Sequence, residues 1–171
     1  MMEMAVTNAG PLMVLSKLNL LHLLRQNYTE VRFPRAVYEE CITNGIRYGY
    51  EDAQVLRLFL YYNQWKADEV PEIIPAVRNE NLDQGEKEAI SIAYYQKSIL
   101  LMDEEKGRNT ARSLHIPVLG SLGILIKSYR NRLIDKDQLS LYFDTISRRR
   151  DIWISPKLCK FLLEKELYIK I

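Results

Sequence analysis

The sequence predicts an α/β fold in three layers, a short parallel sheet covered by helices on both faces, with a helical C-terminal extension. Three observations predict it. Short apolar runs end at polar or turn residues, as Met4 to Thr7 does at Asn8-Ala9-Gly10 and Ile99 to Met102 does at Asp103. Stretches of helical periodicity alternate with those runs. Neighbouring parallel strands need a crossover connection, and a helix of the expected length supplies one.

Taken in order, Pro11 suits the first turn of a helix, and Leu12, Leu15 and Leu18 follow at helical spacing. A short helix over residues 20–26 leads to a strand around 30–33. Pro34 opens a helix with Ala36, Val37 and Cys41 on its inner face. Residues 44–50 read as a turn, and residues 51–62 as an amphipathic helix carrying Val55, Leu56, Phe59 and Leu60. Trp65 to Val70 reads as a further strand. Asp83-Gln84-Gly85 caps a helix to about Lys97, and Ile99 to Met102 is a buried strand. Glu104 to His115 is helical, Pro117 to Leu119 a short strand, and Gly120-Ser121 opens a helix to Arg130. Helices over about 136–149 and 156–166 close the chain. One domain is expected over 1–171, with a core over about 4–130 and the helical extension over about 131–171.

Composition bounds the function. Of 171 residues 47% are hydrophobic and 27% charged, which is ordinary for a folded chain and gives no indication of disorder. The net charge of +2 does not by itself demand a polyanionic partner. Cys41 and Cys159 have no metal-ligand spacing and read as reduced core thiols. No basic region with an apolar run and cleavage site marks a signal peptide, and no stretch approaches the ~20 apolar residues of a membrane span. A cytoplasmic protein is expected. His22 and His115 are isolated, no Ser/His/Asp triad spacing exists, and GEKEAIS lacks the pattern of a phosphate-cradling loop.

In open α/β sheets ligands bind outside the carboxyl ends of the strands, so the residues ending the apolar runs are the candidates. Asn8 ends the first run, and Asp103-Glu104-Glu105 the run after residue 98. Glu40 shares a face with Val37, Ala36 and Cys41. Glu86 extends the stripe of Ile90 and Ala93 one turn toward the helix start, whereas Glu88 lies off that stripe. Two carboxylates about 5 Å apart repel by roughly 3 kcal/mol at an effective dielectric near 20, so a gathered set calls for a cation. Oxygen-only ligands suit Mg²⁺ or Mn²⁺ rather than zinc. The competing role for each glutamate near a helix start is to complement the helix dipole.

The segments VTNAGPL, FPRAVYEEC, LDQGEKEAISIAYY, ILLMDEEKGRNTAR and IPVLGSLGIL, in that order and spacing, resemble the PIN-domain family, in particular its VapC-like toxins and their longer relatives. The likeness covers about residues 4–130. It implies a small parallel sheet flanked by helices and an acidic cluster that binds Mg²⁺ or Mn²⁺ to hydrolyse RNA. The family's acidic sites fall on Asn8, Glu40, Glu86 and Asp103, with Glu88 competing with Glu86 and Glu104 with Asp103. Ser121 resembles the family's small hydroxyl residue beside the site, its other role being helix N-cap. The departure is Asn8, where most catalytic members carry Asp; its amide oxygen can still coordinate a hard cation. The implied activity is a metal-dependent endoribonuclease, either the toxin of a toxin–antitoxin pair or a stand-alone relative. The alternative is a weakened or inactive PIN-like module that binds nucleic acid or protein. Implied partners are RNA, an antitoxin protein and a second copy in a homodimer, with no membrane. Arg108 and Arg112 are the candidate nucleic-acid contacts, and Arg148-Arg149-Arg150 is the densest basic cluster. The eleven tyrosines suit core edges or an interface, or base stacking.

Overall fold

The computed structural model describes residues 3–70 and 72–168. Strands β1 (Glu3–Thr7), β2 (Tyr28–Arg32), β3 (Ile99–Leu101) and β4 (Val118–Leu119) form one sheet in the order β2-β1-β3-β4. Every neighbouring pair is parallel, with Val6 opposite Arg32 on one side and opposite Leu100 on the other. The fold is therefore α/β, as the alternation of apolar runs and helical stretches requires.

Strand order fixes where a site can open. The path from β1 to β2 steps outward in one direction, and the path from β2 to β3 returns across β1. Because such crossovers are right-handed, the connecting helices go to opposite faces on the two sides of that reversal. Helices α1 (Ala9–Lys17) and α2 (His22–Asn27) join β1 to β2. Between β2 and β3 run α3 (Arg35–Tyr38), a π-helical segment Glu39–Asn44, α4 (Gly45–Arg47), α5 (Glu51–Tyr62), α6 (Pro75–Arg78) and α7 (Gln84–Gln96). Helix α8 (Glu105–Ser113) joins β3 to β4, and α9 (Ser121–Arg130), α10 (Lys136–Arg148) and α11 (Pro156–Tyr168) follow. Val6, Leu100 and Met102 share one buried cluster with Ala89, Ile90 and Ala93 of α7 and Ala111 of α8. Alternation along a strand turns the neighbours Ala5, Thr7 and Leu101, all fully buried, to the other face.

Two compact units separate after Ser121. The first holds the sheet. In the second, Asp135 and Gln138 form a capping box that starts α10, α10 packs on α11, and the Arg130 guanidinium donates to both oxygens of Glu166 at 2.8 and 2.5 Å.

Three expectations change. Trp65 to Val70 is no strand: only Asp68 pairs, with Pro34 across an isolated bridge, while Arg32 clamps its carboxylate at 2.8 and 3.0 Å. Residues 44–50 are part helix, α4 ending before a turn at Tyr48 and Gly49. On α5 the buried face is Ala53, Leu56 and Leu60, and Val55 is exposed. Cys41 and Cys159 are free buried thiols, as read from their spacing. No helix among the described residues is long and apolar enough to cross a membrane.

Candidate active site at the carboxyl edge of the sheet

Asn8, Asp103 and Ser121 follow three adjacent strands. The Asn8 N–H donates to Leu101 O at 2.9 Å and the Met102 N–H to Leu119 O at 2.9 Å, so the ladder runs to the edge of the sheet. Asn8 and Asp103 leave β1 and β3, between which the winding reverses, and in an open α/β sheet a crevice forms at that point. Asp103 is fixed from β4: the Ser121 N–H donates to Oδ1 at 2.7 Å and the Ser121 hydroxyl to Oδ2 at 2.5 Å. Glycines let the backbone close on this carboxylate. A Cβ on Gly10 would lie 3.3 Å from Oδ2, and one on Gly120 would lie 2.9 Å from Oδ1 and 3.0 Å from Arg108 Nη1. Burial pushes the Asp103 carboxyl above the ordinary Asp range, against the two Ser121 hydrogen bonds and the Arg108 charge.

Asn8 is buried, and its Oδ1 has no hydrogen-bond partner among the described residues. A Cβ on Gly85, in the first turn of α7, would come within 3.5 Å of that oxygen. One residue on, Glu86 is 5% exposed, and this burial is explained locally. Asp83 caps α7 by accepting from the Glu86 N–H at 2.7 Å, and Glu86 Oε2 accepts from the Asp83 N–H at 2.9 Å. Burial raises the proton affinity of Glu86, and the charges of Asp83 and Glu104 add to it. Glu40 is raised by desolvation and then by Asp83 and Glu86, so these four carboxylates lie in one electrostatic field.

The structure sorts the candidates. Glu88 is half-buried and accepts from Gln84 at 2.7 Å, which leaves Glu86 as the inward carboxylate, in line with the helix-face argument. Glu104 caps α8 by accepting from the Gly107 N–H at 2.8 Å. Ser121 spends its hydroxyl on Asp103 and does not cap α9 with it, contrary to the simpler expectation. Glu40 is exposed and not on the inner face with Val37 and Cys41, because the π-helical segment that holds it abandons the 100° register. Arg108 stands beside Asp103, whereas Arg112 is exposed and donates to Asn109 at 3.0 Å. Arg148 and Arg149 pair with Asp144 and Asp151. Asp83 escaped sequence reasoning as a member of the charged group, although the spacing Asp83-x-x-Glu86 is a capping-box signal that ties the two together.

The donors fit a hard divalent cation in their chemistry: all are oxygens, one is a buried amide oxygen with no donor, and the carboxylates repel one another. They do not form a ready cage, since no three His, Cys, Asp or Glu among the described residues are gathered closely enough to hold a metal. Mg²⁺ tolerates that, because it commonly keeps several waters and takes only one or two carboxylates.

Comparison with known families identifies the fold. The family model for the PIN domain known as DUF3368 matches residues 4–166, past residue 130 and into the C-terminal helices. No curated protein matches the chain. PIN domains are a nuclease-type fold, generally dependent on divalent metal and generally bound to nucleic acid. With nearly its whole described length matched, the chain belongs to the PIN-domain family.

Proposed function

We propose that the chain is a metal-dependent endoribonuclease. The observation that carries the reading is the orphaned, buried Oδ1 of Asn8 at the point where the sheet winding reverses, next to a set of mutually repelling carboxylates. Asn8 with one or two carboxylates drawn from Glu40, Glu86, Asp103 and Glu104 would hold Mg²⁺ or Mn²⁺, water filling the other positions, with Glu40, Glu86 and Asp103 as the catalytic carboxylates. When bound, the ion neutralises charge on the phosphate and makes water more acidic. The remaining work falls to the chain. Ser121 and the close approach of Gly10 and Gly120 fix Asp103 in one orientation. The capping box fixes Glu86 through Oε2. Glu40, exposed and with its proton affinity raised, is suited to accept a proton from the attacking water at its carboxylate. RNA is the proposed substrate, with an antitoxin protein and a second copy as proposed partners.

Incubation with a mixed RNA pool tests the reading. Cleavage is expected with Mn²⁺ and absent with chelator, and is lost in Glu86→Gln and Asp103→Asn. A specific observation favours the second reading, a binding module without catalysis: Asn8 lacks the charge of a carboxylate. RNA binding without cleavage in any divalent metal would establish that reading instead.

A further inference from the structure

Arg108 presents an unmade contact. It lies on α8 one turn after the helix cap, its N–H donating to Glu104 O at 3.0 Å, and its guanidinium turns back toward Asp103. Arg108 Nη1 and Asp103 Oδ1 both lie within about 3 Å of the single point that a Gly120 Cβ would occupy, at 3.0 and 2.9 Å. The two charges thus face each other across a glycine. Yet Asp103 has both oxygens engaged by Ser121, and Arg108 Nε is buried with no hydrogen-bond partner. A buried donor left unmade carries its full desolvation penalty, and a guanidinium stays charged when buried. An anionic oxygen adjacent to Asp103 is the acceptor that best complements this charge.

We propose that Arg108 grips the phosphodiester to be cut, offering two of its guanidinium N–H groups to phosphate oxygens beside Asp103. The pairing is the bidentate fork for which arginine is suited and lysine is not. It makes Arg108 a residue of the reaction centre and not one of several surface contacts to the backbone. This inference rests on the ribonuclease reading.

The test is fluorescence anisotropy of a single-stranded RNA oligonucleotide titrated with the protein over a range of salt, in Ca²⁺ in place of Mg²⁺ or Mn²⁺ and with the oligonucleotide checked intact on a gel. Arg108→Gln should bind about tenfold or more weakly, and the slope of log affinity against log salt should fall by about one phosphate contact. Arg108→Lys should keep the slope and lose affinity, because the charge remains and the fork does not. Arg57→Gln, an exposed residue on α5, should change neither. Thermal melts accompany each variant, and if Arg108→Gln is unfolded the lysine variant decides. Unmodified binding in Arg108→Gln, or full wild-type affinity in Arg108→Lys, overturns the proposal while leaving the ribonuclease reading intact. Wild-type protein that fails to bind the oligonucleotide overturns both.

Discussion

Ser121 holds both carboxylate oxygens of Asp103, one through its backbone N–H at 2.7 Å and the other through its hydroxyl at 2.5 Å. The serine follows β4 and the aspartate follows β3, so this contact ties two strand ends together where the chain turns into α9. Ser121→Ala removes one charge-assisted donor from a carboxylate that burial already disfavours. The expected cost is about 1–3 kcal/mol, read as a shift in urea midpoint at unchanged m-value. The hydroxyl lowers the Asp103 proton affinity, so its loss should raise it further, visible by NMR titration of the carboxyl carbon. A midpoint equal to wild type would mean that water replaces the hydroxyl at no cost.

Gly120→Ala should be harsher than an exposed glycine substitution. Its Cβ would sit 2.9 Å from Asp103 Oδ1, 3.0 Å from Arg108 Nη1 and 3.5 Å from Met102 O. The carboxylate is pinned by Ser121 and cannot swing aside without breaking those bonds. Overpacking of this kind costs about 1–3 kcal/mol. Gly49→Ala, by contrast, meets nothing within 4 Å, but its φ of +79° carries its own backbone strain. Equal melting temperatures for wild type and Gly120→Ala would show that Arg108 and Asp103 are less constrained than this geometry implies.

The parts of the fold written in one-dimensional pattern were legible: the short buried strands, the capped helix α7, the strand ends at Asn8 and Asp103, and the inward direction of Glu86. What failed depended on partners remote in sequence or on a change of register. Glu40 left its expected face because the backbone from Glu39 to Asn44 winds as a π-helix, which no periodicity at 100° per residue reveals. Ser121 looked like a helix cap because its neighbours in sequence are a helix, whereas its partner is 18 residues upstream, just past the end of another strand. Arg108 and Arg112 looked equivalent at four-residue spacing, yet one side chain turns back to the site and the other stays in solvent. Glu86 carries two explanations at once, a capping box that any helix can use and a place in the charged group.

The pH dependence of the metal-free protein follows from Glu40, Glu86 and Asp103, all raised in the fold. A raised group contributes stability fully below its unfolded pKa, about 4 for these side chains, and that stability is lost as pH rises through its folded value. Glu166, lowered by Arg130, runs the opposite way, its contribution being lost as pH falls. The clean measurement is therefore a difference. Glu86→Gln should keep the capping box, since Gln138 fills the same position in α10. Relative to wild type it should gain stability as pH rises from about 4 to 8 in chelator. A gap between the two urea curves that is constant with pH would show that Glu86 has no shifted titration.

Asn8→Asp carries the sharpest contrast between metal-free and metal-bound states. Oδ1 of Asn8 is already buried without a donor, so a carboxylate there would add an uncompensated charge within reach of the Gly85 turn and among carboxylates that already repel. In chelator the variant should melt lower than wild type, because an unpaired buried charge has neither solvent nor partner. With Mn²⁺ the order should reverse. Charge count is a main determinant of affinity for a hard cation, and binding to the native state alone contributes RT ln(1 + [L]/Kd), about 2.7 kcal/mol at 100 times Kd. The Mn²⁺-induced rise in melting temperature should therefore be larger in Asn8→Asp than in wild type, calorimetry should show the tighter site, and RNA cleavage should rise with it. If Asn8→Asp cleaves more slowly while binding Mn²⁺ more tightly, the neutral amide serves the reaction as a tuned hydrogen-bonding residue. If Mn²⁺ shifts neither protein, the orphaned oxygen of Asn8 is no metal ligand and the carboxylates around it are structural.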